Sequence, residues 1–281
     1  MENAPAKLNL GLQILGKRPD GFHDLVSIFQ SISLCDRLTF GEGEKGQMEF
    51  SCDDPDLPKG PDNLVCRAVD LFRKVTGTAR GVRIHLEKRI PHGAGLGGGS
   101  SDAASVLTAL NQLWAGGLTL KELQEIGLEL GSDVPFFMRR GTALVRGRGE
   151  RLRYISWRAN PIYLLVSPVF RISTAWAFAN YKKPLTEKGG YATFLNSVNP
   201  DELSISELFR HLQNDFLPLV LQTYPEAVDI LDHLQNSGAL AASMSGSGST
   251  MFGVYEDQLK ADHALAGLQK KGHRAFLCYP L

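Results

Sequence analysis

Residues Pro91, His92, Gly93, Ala94, Gly95, Leu96, Gly97, Gly98, Gly99, Ser100 and Ser101 form a glycine-dense stretch that runs into Asp102-Ala103-Ala104. Five glycines lie within the seven positions 93–99. Without side chains, such a segment lets a polyanion approach backbone N–H groups, and glycine tolerates the positive φ angles that turn successive N–H groups inward. A helix starting at its end adds unpaired first-turn donors and a partial positive charge, and Ser100 and Ser101 supply hydroxyls for a cap or a phosphate oxygen. The chemistry implied is phosphate binding. A plain turn that packs a helix closely on a strand is the other use of such glycines.

The kind of phosphate site is narrowed by what is missing. No Lys-Ser or Lys-Thr follows Gly99, as the common NTPase loop requires. Gly93-x-Gly95-x-x-Gly98 fits the dinucleotide fingerprint, but that reading needs a second strand ending in a ribose-binding acid, and the chain continues with Thr119-Leu120-Lys121-Glu122, the cap and first turn of a helix. Neither His-Arg-Asp nor Asp-Phe-Gly occurs, which removes the protein kinases.

The elements around the loop suit it. Val82–Leu86 alternates as a strand, and Ala103, Val106, Leu107, Leu110, Leu113 and Trp114 make one helical face, so the loop joins strand to helix. Strands are expected before a helix at about 62–76 and again at 142–155. Ile162–Val166 opens the second half as a buried strand, helical segments fill 172–236, and the chain closes with strand, turn, strand, helix and strand. A domain boundary is expected near Ser156–Pro161, dividing 1–157 from 158–281. Gly189-Gly190 and Asn199-Pro200 are expected in surface loops.

Composition sets the outer bounds. At 281 residues the chain has room for two cores, and 43% hydrophobic with 21% charged residues describes a globular protein. Thirty basic and thirty acidic residues cancel, which argues against broad binding to nucleic acid or an anionic membrane. The cysteines at 35, 52, 66 and 278 show neither a zinc nor a disulfide pattern. The start lacks a signal-peptide pattern and no apolar run spans a membrane, so a cytoplasmic location is expected.

Several polar residues have two readings by type alone. Asp133, between helical stretches and just before Pro135, suits a helix cap as well as a general base. Lys7 reads as a solvated position of an alternating strand, with Asn9 on the same face. Phe22 and His23 serve equally as a core aromatic and a surface histidine, and Phe178 as a core residue. Ser243–Thr250 reads as a flexible hairpin.

Pro5-Ala6-Lys7-Leu8-Asn9-Leu10, the 91–104 loop and Ser243-Met244-Ser245-Gly246-Ser247-Gly248-Ser249-Thr250 together resemble the galactokinase, homoserine kinase, mevalonate kinase and phosphomevalonate kinase superfamily. Lys17-Arg18-Pro19-Asp20-Gly21-Phe22-His23 and Leu130-Gly131-Ser132-Asp133-Val134-Pro135-Phe136-Phe137 resemble its branch acting on a cytidine diphosphate-linked methylerythritol in the non-mevalonate isoprenoid precursor pathway. Position 22 is Phe where that branch often has Tyr. The resemblance implies an α+β, two-domain small-molecule kinase, with an N-terminal nucleotide-binding domain like domain 2 of ribosomal protein S5 and a ferredoxin-like, substrate-side C-terminal domain. It implies ATP and Mg²⁺, the metal's protein ligands being undefined, and no nucleic-acid or membrane partner; oligomeric state is left open. Asp133 becomes the general base and Lys7 its electrostatic partner. Residues 91–101, Asn63 and Lys88 are assigned to the nucleotide. Asn9, Phe22, His23 and Phe178 are assigned to the acceptor, the aromatics and His23 holding cytosine.

Overall fold

The structure, a computed structural model, describes residues 1–157, 160–182, 190–199 and 201–281. Part of the expected boundary region (158 and 159) and of the expected loops (Gly189 and Pro200) lies outside the described residues. The chain divides into two compact units, neither continuous in sequence. The first is Met1–Ala6, Leu34–His92 and Gly97–Arg140; the second is Lys7–Ser33, Gly93–Leu96 and Gly141–Leu281.

In the first unit stand the start of β1 (Glu2–Lys17), the end of β2 (His23–Gly43), β3 (Met48–Cys52), α1 (Leu64–Thr76), β4 (Gly81–Glu87), α2 (Gly98–Leu113), α3 (Leu120–Leu130) and α4 (Val134–Arg139). Arg37–Gly43 of β2 pairs antiparallel with β4, and β3 runs parallel to β4. The alternation read from sequence is observed, with Val82, Ile84 and Leu86 buried. Helix α1 buries Val65, Cys66, Ala68, Val69 and Phe72 and stops at Gly77, whose left-handed φ of 68° lets its N–H close on Arg73 O. Helix α2 is buried from Ser101 to Leu107, packing on α1, α3 and α4; its run of small residues allows neighbours on several sides. Thr119 and Glu122 form a capping box that starts α3, worth about 1 kcal/mol.

The second unit adds β5 (Thr142–Gly147) and β6 (Arg151–Ile155), then β7 (Ile162–Ser167), α5 (Thr174–Asn180), α6 (Tyr191–Ser197), α7 (Ile205–Arg210), α8 (Leu217–Thr223), α9 (Pro225–Asn236), β8 (Ala241–Met244), β9 (Met251–Tyr255), α10 (Gln258–Lys270) and β10 (Arg274–Cys278). Leu25–Gln30 of β2 pairs with β5, and β5 with β6, all antiparallel. The other sheet has the order β10-β7-β9-β8, also antiparallel. With α9 between β7 and β8 and α10 between β9 and β10, this is the β-α-β-β-α-β arrangement of a ferredoxin-like fold, carrying helices α5–α8 as an insertion. Its core joins Leu164, Val166 and Met251 to Ile230 and Leu234 of α9 and to Ala264 and Leu268 of α10.

Strand β1 departs from the sequence reading. It is buried without interruption from Ala4 to Ile14, so Lys7 lies on no solvated face. Backbone bonds explain part of this: Lys7 N–H donates to Leu96 O at 2.9 Å, and Leu12 exchanges bonds with Gln213 and Asp215. Among the described residues no helix is long and apolar enough to cross a membrane.

Candidate active site

The glycine loop needs its glycines. Gly93, Gly95 and Gly97 hold φ values of 65°, 77° and 70°, in the left-handed region. Buried Ile90, Ala94 and Leu96 anchor it between the more accessible glycines. A Cβ on Gly95 would clash with Ser245 O and lie 3.0 Å from Gly248 O. Gly97 is the N-cap of α2 and offers no side-chain bond to the first turn. It opens a helix of 16 residues, whose first-turn N–H groups and partial positive charge are of the kind that can meet an anion.

Lys7 is 4% exposed. Its Nζ donates to Asn9 Oδ1 and lies 4.4 Å from the centre of the Phe29 ring. Asn9 Nδ2 donates to Ser27 Oγ at 2.9 Å, and Ser27 Oγ donates to Gly11 O at 2.6 Å. The backbone N–H of Asn9 donates to Ser245 Oγ at 3.2 Å, which in turn donates to Gly95 O at 2.9 Å. Lys7 and Asn9 are thus together, as a two-residue strand repeat requires, and are tied to residues 93–96 and to the 243–250 turn. Ser27, absent from the sequence reading, completes the network; nothing in its local pattern marks it.

Asp133 belongs to the first unit. It is the residue before α4, half-buried, and its side chain makes no capping bond to that helix. The cap reading is therefore not the one the geometry follows.

The β1–β2 hairpin presents Phe22 and His23. Arg18 N–H donates to Phe22 O at 2.8 Å, Asp20 Oδ1 accepts from Phe22 N–H at 3.2 Å, and Gly21 takes a φ of 84°. Phe22 is 49% exposed, far from a core aromatic. His23 and Phe178 are stacked, ring centres 4.8 Å apart and planes 24° from parallel. Arg148, which sequence reasoning missed, places its guanidinium 4.8 Å from the Phe22 ring centre. Aromatic faces with a histidine and a nearby cation suit a planar polar base.

Asn63 is the N-cap of α1: its Oδ1 accepts from Val65 N–H at 2.9 Å and its Nδ2 donates to Pro58 O at 2.8 Å. Lys88 is drawn into an ion cluster. Its Nζ bonds Asp36 Oδ2, and Asp102 Oδ2 at 3.0 Å. Burial pushes the Asp102 carboxyl up to about 7, Lys88 opposing this and Asp36 adding to it. Burial by itself would lower the Lys88 pKa, but the two carboxylates outweigh it and raise it. Asp36 and Asp102 were not singled out from sequence. The available signal for Asp36 was an acid on the inward phase of a strand that also buries Leu38.

Two family models match the chain: GHMP kinases N terminal domain over residues 63–141 and GHMP kinases C terminal over residues 200–274. A Gloeobacter violaceus protein named 4-diphosphocytidyl-2-C-methyl-D-erythritol kinase is 41% identical over 281 residues, covering 98% of this chain and 92% of the relative. A Pelotomaculum thermopropionicum protein of the same name is 43% identical over 256 residues, covering 90% and 88%. A crystal structure of 4-(cytidine 5'-diphospho)-2C-methyl-D-erythritol kinase matches with a TM-score of 0.82 and 34% identity over 99% of this chain and 98% of that one. The Methanococcus jannaschii mevalonate kinase matches in fold, with a TM-score of 0.73 at 13% identity over 100% and 98% of the two chains. The expected α+β kinase fold is borne out.

Proposed function

Because the chain belongs to the 4-diphosphocytidyl-2-C-methyl-D-erythritol kinase family of the GHMP kinases, ATP-dependent enzymes acting on small molecules, we propose that it transfers the γ-phosphoryl group of ATP to the 2-hydroxyl of 4-diphosphocytidyl-2-C-methyl-D-erythritol, giving ADP and the 2-phosphate. The observation that carries the substrate choice is the exposed Phe22 at the tip of a braced hairpin, beside His23 stacked on Phe178 of α5. A homoserine or mevalonate kinase has no cytosine to hold there.

Each residue then has a task. The N–H groups of 93–101 hold the phosphates of MgATP. Among the described residues no three His, Cys, Asp or Glu side chains are grouped to cage a metal, and in this reading the Mg²⁺ arrives on the nucleotide, ligated chiefly by phosphate oxygens and water. Asp133 accepts the proton of the acceptor hydroxyl as that oxygen attacks phosphorus. Lys7 acts as its electrostatic partner, offsetting the charge gathered in transfer. Asn9 orients the acceptor. Phe22 and Phe178 stack on the cytosine and His23 reads its edge, one ring nitrogen donating and the other accepting. Asn63 is kept with the nucleotide through its place at the start of α1. In chain order, the nucleotide residues lie within 1–157 and residues 158–281 form the substrate side, joined by Asn9, Phe22 and His23. The balanced charge and the enzyme family support a cytoplasmic small-molecule enzyme without nucleic-acid or membrane partners.

A coupled ADP-release assay offering the cytidine substrate, homoserine and mevalonate side by side tests the reading. Turnover is expected with the first; comparable turnover with either of the others would overturn it. Asp133→Asn is expected to lower kcat by about 10²-fold or more while nucleotide binding holds. A variant keeping a third of wild-type kcat removes Asp133 from the base role.

A further inference from the structure

Lys88 lies in the short link between β4 and the glycine loop, where a cation for nucleotide phosphate would be placed. The structure uses it otherwise. Its side chain is 7% exposed, and the carboxylates it meets, Asp36 and Asp102, are 0% and 3% exposed. The second oxygen of Asp36 accepts from the N–H groups of Arg89 and Ile90, at 2.6 and 2.8 Å, the two residues directly before Pro91. Asp102 stands in the first turns of α2. One lysine therefore joins β2, the entry to the loop and the start of the helix at its exit. The cluster lies against the loop's last residues: a Cβ on Gly98 would be 3.3 Å from Lys88 Nζ and 3.4 Å from Asp36 Oδ2.

The energetics argue against a role in helix stability. A buried cation at a helix N-terminus opposes the macrodipole and is costly to desolvate, so it persists only because two carboxylates meet it. Those bonds fix the ammonium and orient it toward the carboxylates. Rigidly supported backbone donors bind an anion without spending energy on ordering a glycine-rich segment, which is otherwise among the most flexible a chain can have.

We propose that Lys88, through Asp36 and Asp102, is a positioning residue of the kinase reaction: a buried clamp that holds 97–101 in the phosphate-receiving conformation without touching the nucleotide. This rests on the reading of the loop as the ATP cradle.

The test is steady-state kinetics of Asp36→Asn, Lys88→Met and the double variant, with melting temperatures measured without nucleotide. Each single variant is expected to raise KM for ATP about tenfold or more, to leave KM for the acceptor within about twofold, and to be matched by the double variant. If Lys88 instead contacts phosphate, Asp36→Asn frees it, and an ATP KM unchanged or lowered in Asp36→Asn while Lys88→Met raises it overturns the clamp. Asp102→Asn, which keeps an oxygen acceptor for the lysine, is expected to stay within about threefold of wild type where Asp102→Leu does not. Equal losses in both would also overturn it. Should Lys88→Met fail to fold, the isosteric Asp36→Asn and Asp102→Asn still decide. Gly97→Val separates this failure from failure of the cradle reading: it raises KM for ATP if the loop is the cradle, however Lys88 acts.

Discussion

Two segments of this chain rich in glycine and serine, 91–101 with five glycines and two serines and 243–250 with two glycines and four serines, have different structural fates. In the first, glycines alternate with the buried anchors Ala94 and Leu96, and the segment ends as the uncapped start of α2. In the second, Ser243, Ser245, Ser247, Ser249 and Thr250 are all buried in the hairpin between β8 and β9. Its backbone is committed: Ser245 N–H donates to Thr250 O, Gly248 N–H to Ser245 O, and Asn214 Nδ2 donates to both Met244 O and Gly246 O, at 2.7 and 2.9 Å. In this turn the N–H groups of Ser245, Gly248 and Thr250 and the carbonyls of Met244 and Gly246 are used by the fold. The 243–250 turn supports Gly95 and Asn9 through Ser245, and is not the flexible hairpin that its composition suggests.

That contrast is open to attack, most severely where the segments meet. Gly95→Val combines a left-handed φ with a clash against the carbonyls of Ser245 and Gly248, and is expected to cost more than about 4 kcal/mol in urea unfolding, with loss of activity. A near-normal variant would mean that the two segments are not interdependent. Gly97→Val puts a β-branched residue at a left-handed φ, a strain of about 1–2 kcal/mol, and is expected to raise the ATP requirement by roughly tenfold or more, seen as lost thermal stabilisation on adding ATP. Retained stabilisation would argue against the cradle.

Asn214→Ala probes the other segment. It strands two carbonyls in a buried turn and is expected to lower stability by about 1–3 kcal/mol, with KM for ATP little changed. The comparison breaks if ATP affinity falls while stability does not. The smallest effect concerns Asp102. Its carboxyl is raised to about 7 in the folded protein, so the folded state holds a proton that the unfolded chain has lost. Its contribution to stability is full below the ordinary carboxylate range and disappears as pH rises through about 7. Wild type should lose stability across that window, and Asp102→Asn should show a flatter profile in denaturant titrations at several pH values. An identical slope in the two proteins would mean that Asp102 ionises normally.

Local order in the sequence accounts for a good share of the molecule. The strand-loop-helix around 81–113, the capping box at Thr119 and Glu122, and the Lys7-Asn9 repeat rest on interactions within a few residues, and short-range periodicity reports those faithfully. The 162–278 order of strand, helices, strand, turn, strand, helix and strand was legible for the same reason, while its ferredoxin-like closure was expected only from the family resemblance and is seen in the β10-β7-β9-β8 order. The continuous burial of β1 was not legible, because the groups that cover it, Leu96 and Gln213–Asp215, come from distant parts of the chain. Only the tertiary structure revealed that Lys88 is spent on Asp36 and Asp102, separated from it by 52 and 14 residues. It alone revealed that Asn214 braces a turn 30 residues away. Hydrogen bonds and ion pairs depend on distances of a few ångströms, and residue type and spacing along the chain set those distances only within a single element. Sequence alone thus determined the kind of chemistry this protein supports and the elements that carry it, while the choice of which polar groups face ligand and which hold the fold was made by the packing of remote segments.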